Sequence, residues 1–215
     1  MHFRQAEVNI PPSDGLDWHL GVISGEVYRG LSARSQKVTL MVRPLCLLTL
    51  ILCCTSAFAD VSSGPEVGKP VEGFPVEAVV GDSAGQTVDP VAARGTKTTV
   101  YAFVPTDKWS RPCARFLKKL DGEIGSVNEA KVIAVWLTAD AQAAKDYLPK
   151  AQQSLSFSKT DLTVFKGDAA GPGKWGVNTD ADVTIVVVKD GKATATFGFV
   201  SVNDTVVEQV MKAVK

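Results

Sequence analysis

Three runs of this chain are apolar at nearly every position: Thr98–Val104, Lys131–Thr138 and Val183–Val188. A strand with one wet face alternates polar and apolar residues, whereas continuous β-branched and aromatic runs belong to strands covered on both faces. Between the first two runs, Cys113, Phe116, Leu117 and Leu120 fall at the i, i+3, i+4 and i+7 positions of an amphipathic helix. Asp140–Leu148 predicts a second helix, interrupted by Pro149 and resuming toward Leu155, and Leu162–Phe165 a short strand. Asp190-Gly191 signals a hairpin joining Val183–Val188 to Lys192–Phe199. A closing helix carries Val206, Val207, Val210, Met211 and Val214 on one face, with Asp204 or Thr205 as its cap. The order strand–helix–strand–helix, then hairpin and helix, is that of an α/β sandwich with a mixed central β-sheet flanked by helices.

Upstream, Glu77–Val80 reads as a short opening strand, Gly81–Gly95 as a polar stretch, and Asp60–Pro75, rich in Gly, Pro and Ser, as a linker to a domain spanning 76–215. From Met41 the chain has a short basic start at Arg43, an apolar run from Leu45 to Cys54, and Ala57-Phe58-Ala59. That is the layout of a secretory signal peptide over 41–59, too short for a membrane span of about 20 residues. Cleavage after Ala59 predicts an exported protein, periplasmic or extracellular, with no stable membrane anchor. Acylation at Cys53 or Cys54 is the alternative. Residues 1–40, which hold both histidines, His2 and His19, read as a mis-assigned start or a disordered extension.

Charge narrows the partners. The 23 acidic and 23 basic residues are interspersed, which speaks against nucleic acid or an anionic membrane as ligand. After Ala59 the chain keeps Cys113 alone and no histidine. This excludes an intramolecular disulfide, a Cys–His nucleophilic pair and a Cys/His zinc site, so no metal and no cofactor is expected. Asp168, Asp180 and Asp182 could form a weak cation site, but solvated loop carboxylates are the favoured reading.

The segment Trp109-Ser110-Arg111-Pro112-Cys113 follows the first buried run and opens the helical stripe. It resembles the Trp-Cys-x-Pro-Cys turn of the thioredoxin-like superfamily, with serine in the position of the first cysteine. The resemblance implies the thioredoxin fold over 77–215. It makes Ser110 the occupant of the nucleophile's place, where it is expected to cap the helix through the Cys113 N–H. It makes Cys113 the equivalent of the resolving cysteine, read as a buried small hydrophobe, or alternatively as a thiol activated by Arg111, Arg115 and the helix N-terminus. Counting back from Asp190-Gly191-Lys192, the family's cis-proline loop falls on Asp182-Val183-Thr184, with aspartate where proline is expected.

Peroxiredoxins share the fold, and Ser110 and Cys113 fit half of their Pro-x-x-x-Thr/Ser-x-x-Cys frame. However, Pro105 lies one residue early and no arginine follows Arg115, which leaves Arg94, Arg111 or Arg115 to stabilise a thiolate. The resulting expectation is an exported thioredoxin-like binding or scaffold module without dithiol–disulfide exchange, whose partner is a protein or thiol of unknown identity. The alternatives are a single-cysteine peroxidase or redox sensor using Cys113, or a residual thiol–disulfide oxidoreductase.

Overall fold

In the computed structural model, which describes residues 61–215, the three apolar runs become neighbouring strands. The segments 1–40 and 41–59 and the cleavage site lie outside the described residues. The elements are β1 (Val76–Val80), β2 (Thr87–Val88), α1 (Pro90–Arg94), β3 (Thr99–Pro105), α2 (Arg111–Ile124), β4 (Lys131–Thr138), α3 (Ala141–Leu155), β5 (Thr160–Lys166), β6 (Val183–Lys189), β7 (Lys192–Phe199) and α4 (Val207–Val214). They build one seven-stranded sheet in the order β2-β1-β5-β4-β3-β6-β7. β3, β4 and β5 are parallel, with Ala102 opposite Ala134 and Ala134 opposite Leu162, whereas β6 joins β3 antiparallel. All seven residues of β3 are buried, as its unbroken apolarity requires.

The two faces are covered differently. Alternate strand residues Val100, Ala102, Val104, Ala134 and Trp136 pack under α2, α3 and α4, through Phe116, Leu117, Leu148, Val207 and Met211. The opposite face presents Tyr101, Phe103, Val135 and Val186 to Phe74, Trp175 and Val177, which sit on loops, with Val91 of α1 at the margin. The mixed sheet flanked by helices is as the sequence predicts, with the second layer built mostly of aromatic loop.

The predicted linker is part of that layer. Residues 61–71 run beside edge strand β7 as a strap: Val61 N–H donates to Gly198 O (2.9 Å), Gly68 N–H to Ala193 O (2.7 Å) and Ala193 N–H to Lys69 O (3.0 Å). Ser63 Oγ lies 2.6 Å from Thr184 Oγ1, both buried, and Phe74 enters the core. The Gly, Pro and Ser composition supplies bends and small side chains for close passage over the sheet, so it does not signal a free spacer here. Covering β7 also removes an unpaired edge.

The close passage makes a test. A Cβ on Gly198 would stand 2.3 Å from Val61 O and 2.7 Å from Ser63 Cβ. Gly198→Ala is expected to lift the strap and cost about 1–3 kcal/mol, with faster proteolysis between residues 61 and 71. Unchanged stability and cleavage would show that the strap does not depend on this contact.

Smaller differences have local causes. α3 runs unbroken from Ala141 to Leu155 with Pro149 inside it. Pro149 is exposed while Leu148 and Ala151 stay buried, so the proline ring lies off the core face that holds the helix together. α1 and β2 emerge from the stretch read as merely polar: Asp89 caps α1 by accepting from Val91 N–H (2.9 Å) and Pro90 sits at its first position. The cap ahead of α4 is Asn203, not Asp204 or Thr205: a 3-10 turn over Asp204–Val206 precedes the helix, and Asn203 Oδ1 accepts from Thr205 N–H (2.8 Å).

Candidate functional site

Trp109 closes the loop after β3, and Ser110 leaves it in extended backbone before the chain enters α2. Ser110 Oγ accepts from Cys113 N–H at 3.5 Å, a long bond, while Ser110 O accepts from Ala114 N–H at 2.9 Å. This is the expected cap. Arg111 and Pro112 occupy the first two helical positions, where proline's missing N–H costs nothing and its fixed φ suits the turn.

Cys113 is fully buried in the helix-side core. Burial pushes its thiol up to about 12, and the charge of Asp182 pushes it in the same direction. Arg111 and Arg115 are exposed on the outer side of α2 and do not counter this. A reactive thiolate requires the opposite environment, electropositive and accessible.

The three residues of the predicted cis-proline loop part company. Val183 is buried in the helix-side core, and Thr184 faces the other side of the sheet against Ser63. Asp182 alone remains at the turn, where its carboxylate reaches Lys108 Nζ at 3.9 Å. Its N–H donates to Phe199 O at 2.7 Å, a bond proline could not make. No cis peptide bond occurs among the described residues. Asp182 is thus a bend leading into β6, and Val183 and Thr184 are the first two residues of that strand.

On the other side of Trp109 lies a feature the sequence did not announce. The Trp109 ring packs 4.8 Å from Trp136, and its Nε1–H donates to Tyr147 Oη of α3 at 2.7 Å. An apolar slot of about 330 Å³ opens beneath this pair, between Thr106, Trp136, Asp140 and Ala144. An open groove of about 430 Å³ continues past it between Ser110, Arg111, Lys150 and Leu155. Tyr147 was visible as a lone aromatic among the polar residues of its helix, but only folding brings it to Trp109.

A second unannounced residue is Asp121, 2% exposed on the inner side of α2. Its carboxylate accepts from Ser158 N–H (3.0 Å), Ser158 Oγ (3.2 Å), Lys159 N–H (2.7 Å) and Thr160 Oγ1 (2.7 Å), which ties the helix to the start of β5. Its signal was an aspartate four residues after Leu117 on an otherwise apolar stripe. Asp168 and Asp180 belong to local turns, Asp168 accepting from Ala170 N–H, and no group of residues suited to a metal ion occurs among the described residues.

Comparison with solved structures places this architecture. A DsbF homologue of Corynebacterium diphtheriae superimposes with a TM-score of 0.51 at 16% identity, over 74% of this chain and 95% of that one. A protein described as a thiol:disulfide interchange protein DsbE of Chlorobium tepidum gives 0.52 at 14% identity, over 70% and 99%. The chain has the thioredoxin-like fold. A thiol:disulfide interchange protein from a Bacteroides species with TM-score 0.50 and 14% identity, covering 69% of this chain and 90% of its own, has the same fold. No protein-family model matches the chain, and no curated protein matches it in sequence. Within a thioredoxin-like fold, then, the turn at Trp109–Cys113 follows β3 and opens α2, with the Ser110 hydroxyl as its cap.

Proposed function

We propose that this protein is an exported thioredoxin-like binding module of the cell envelope that does not carry out dithiol–disulfide exchange. The observation that carries the reading is Cys113: the one cysteine among the described residues is sealed on the inner face of α2, with its thiol held neutral by burial and Asp182. Exchange needs an accessible thiolate and a second thiol to resolve the mixed disulfide, and Ser110 offers neither. Peroxide reduction and thiol sensing need the same accessible thiolate, so the burial weighs against those alternatives too. Export rests on the signal-like segment at 41–59.

Two measurements test the chemistry. Alkylation of Cys113 is expected to be negligible in the folded protein at neutral pH and to appear only on unfolding, and dithiothreitol-dependent insulin reduction to stay at background. Rapid labelling with a midpoint below the free-thiol value of about 8.5, or catalysed insulin reduction, would overturn the reading.

The buried thiol also makes a pH prediction. Its ionisation moves from 9.0 in the open chain to about 12 in the folded state, so above 9 the unfolded chain loses this proton first. Stability contributed by the neutral thiol is therefore complete below pH 9 and declines by up to about 1.4 kcal/mol per pH unit between the two values. Tyr101, raised by its own burial, acts in the same sense, so Cys113→Ala should remove only part of the alkaline slope. An unchanged slope in that variant would contradict the burial of the thiol's charge.

A further inference from the structure

The Trp109–Tyr147 pair sits between two openings that share both rings. By sheet order, α3 follows β4 on one side of β3, while Asp182 leads into β6 on the other. None of Asp182, Val183 and Thr184 lines this surface, whereas Trp109, Ser110 and Arg111 of the turn do. It joins three properties: an apolar slot floored by Trp136, an exposed aromatic in Tyr147 (43% accessible), and two cationic side chains, Arg111 and Lys150, with no carboxylate along the groove beside them. Among the described residues neither Arg111 nor Lys150 makes an ion pair.

We infer that the groove between the start of α2 and the later half of α3 binds a peptide segment of a partner protein. That segment carries a large apolar side chain for the slot and flanking carboxylates for Arg111 and Lys150. Charge complementarity selects the acidic residues. The groove is open along its length rather than enclosed, which suits an extended chain better than a small molecule that a site would surround. Trp and Tyr at its centre supply rigid contact area of the kind that anchors peptide interfaces. This inference rests on the binding-module reading above and supplies the chemistry of its partner.

The test is fluorescence anisotropy with three labelled peptides on the purified protein: Glu-Glu-Phe-Glu-Glu, Lys-Lys-Phe-Lys-Lys and Glu-Glu-Ala-Glu-Glu, each with Gly-Ser flanks. The first is expected to bind about tenfold or more tightly than either control, and to weaken by a similar factor with Lys150→Glu and with Tyr147→Ala. Both altered residues are exposed on α3, so folding should survive, and circular dichroism of each variant checks it. Equal affinity for all three peptides, or indifference to both substitutions, overturns the inference. A dimer that Lys150→Glu dissolves overturns it as well, because the face would then pair copies of this chain. Insulin reduction measured on the same sample separates the failures: no peptide preference with no reduction refutes only the groove, whereas catalysed reduction refutes the module reading beneath it.

Discussion

Asp121→Ala is expected to destabilise the protein by about 3–5 kcal/mol, read as a lowered urea midpoint at unchanged slope. The carboxylate is buried without a cationic partner and is held by donors from Ser158, Lys159 and Thr160. Alanine strands two part-buried backbone N–H groups and the buried Thr160 hydroxyl at the junction between α2 and β5. Each such orphan costs about 1–3 kcal/mol, which is why the effect exceeds that of an ordinary truncation. Asp121→Asn should recover little, because its amide nitrogen is a donor facing donors. A loss below about 1 kcal/mol for the alanine variant would show that the loop at Ser158 rearranges and satisfies itself.

Trp175→Ala is expected to cost a comparable about 3–5 kcal/mol and to abolish much of the near-ultraviolet dichroism. Trp175 is 1% exposed, and its ring centroid lies 5.0 Å from Phe74 and 5.1 Å from both Tyr101 and Phe103. Its Nε1–H donates to Glu72 O at 2.9 Å and so pins the stretch that brings Phe74 into place. No helix covers this centre, so neighbouring loops would have to collapse into the cavity. Trp175→Phe should keep part of the packing and lose the bond to Glu72, giving an intermediate midpoint. If alanine and phenylalanine variants were equally mild, the second face would owe its stability to something other than this aromatic cluster.

These two residues mark where sequence and structure diverge. Period and apolarity located β3, β4, β6 and the stripe of α2 because those elements are decided by their own side chains. The motif at Trp109–Cys113 could be placed because a strand precedes it and a helix begins at Ser110. By contrast, the second face is assembled from Phe74, Trp175 and Val177, residues far apart in the chain whose meeting leaves no local period. Pro149 illustrates the opposite error: a local rule was overruled because the packing of Leu148 and Ala151 outweighs one absent hydrogen bond. At the site, the burial of Cys113 was legible from its place on the stripe, whereas the pairing of Trp109 with Tyr147 depends on how α3 settles over β4. Val183 and Thr184 are adjacent in the sequence, yet alternation along β6 turns the two to opposite faces of the sheet.

The bond from Asp182 N–H to Phe199 O also bears on redesign. Cysteine at position 110 would place a thiol at the start of α2, but proline at 182 would silence a donor that now joins the loop to the end of β7. A designer seeking a redox turn in this chain would therefore meet opposition from the sheet as well as from the site.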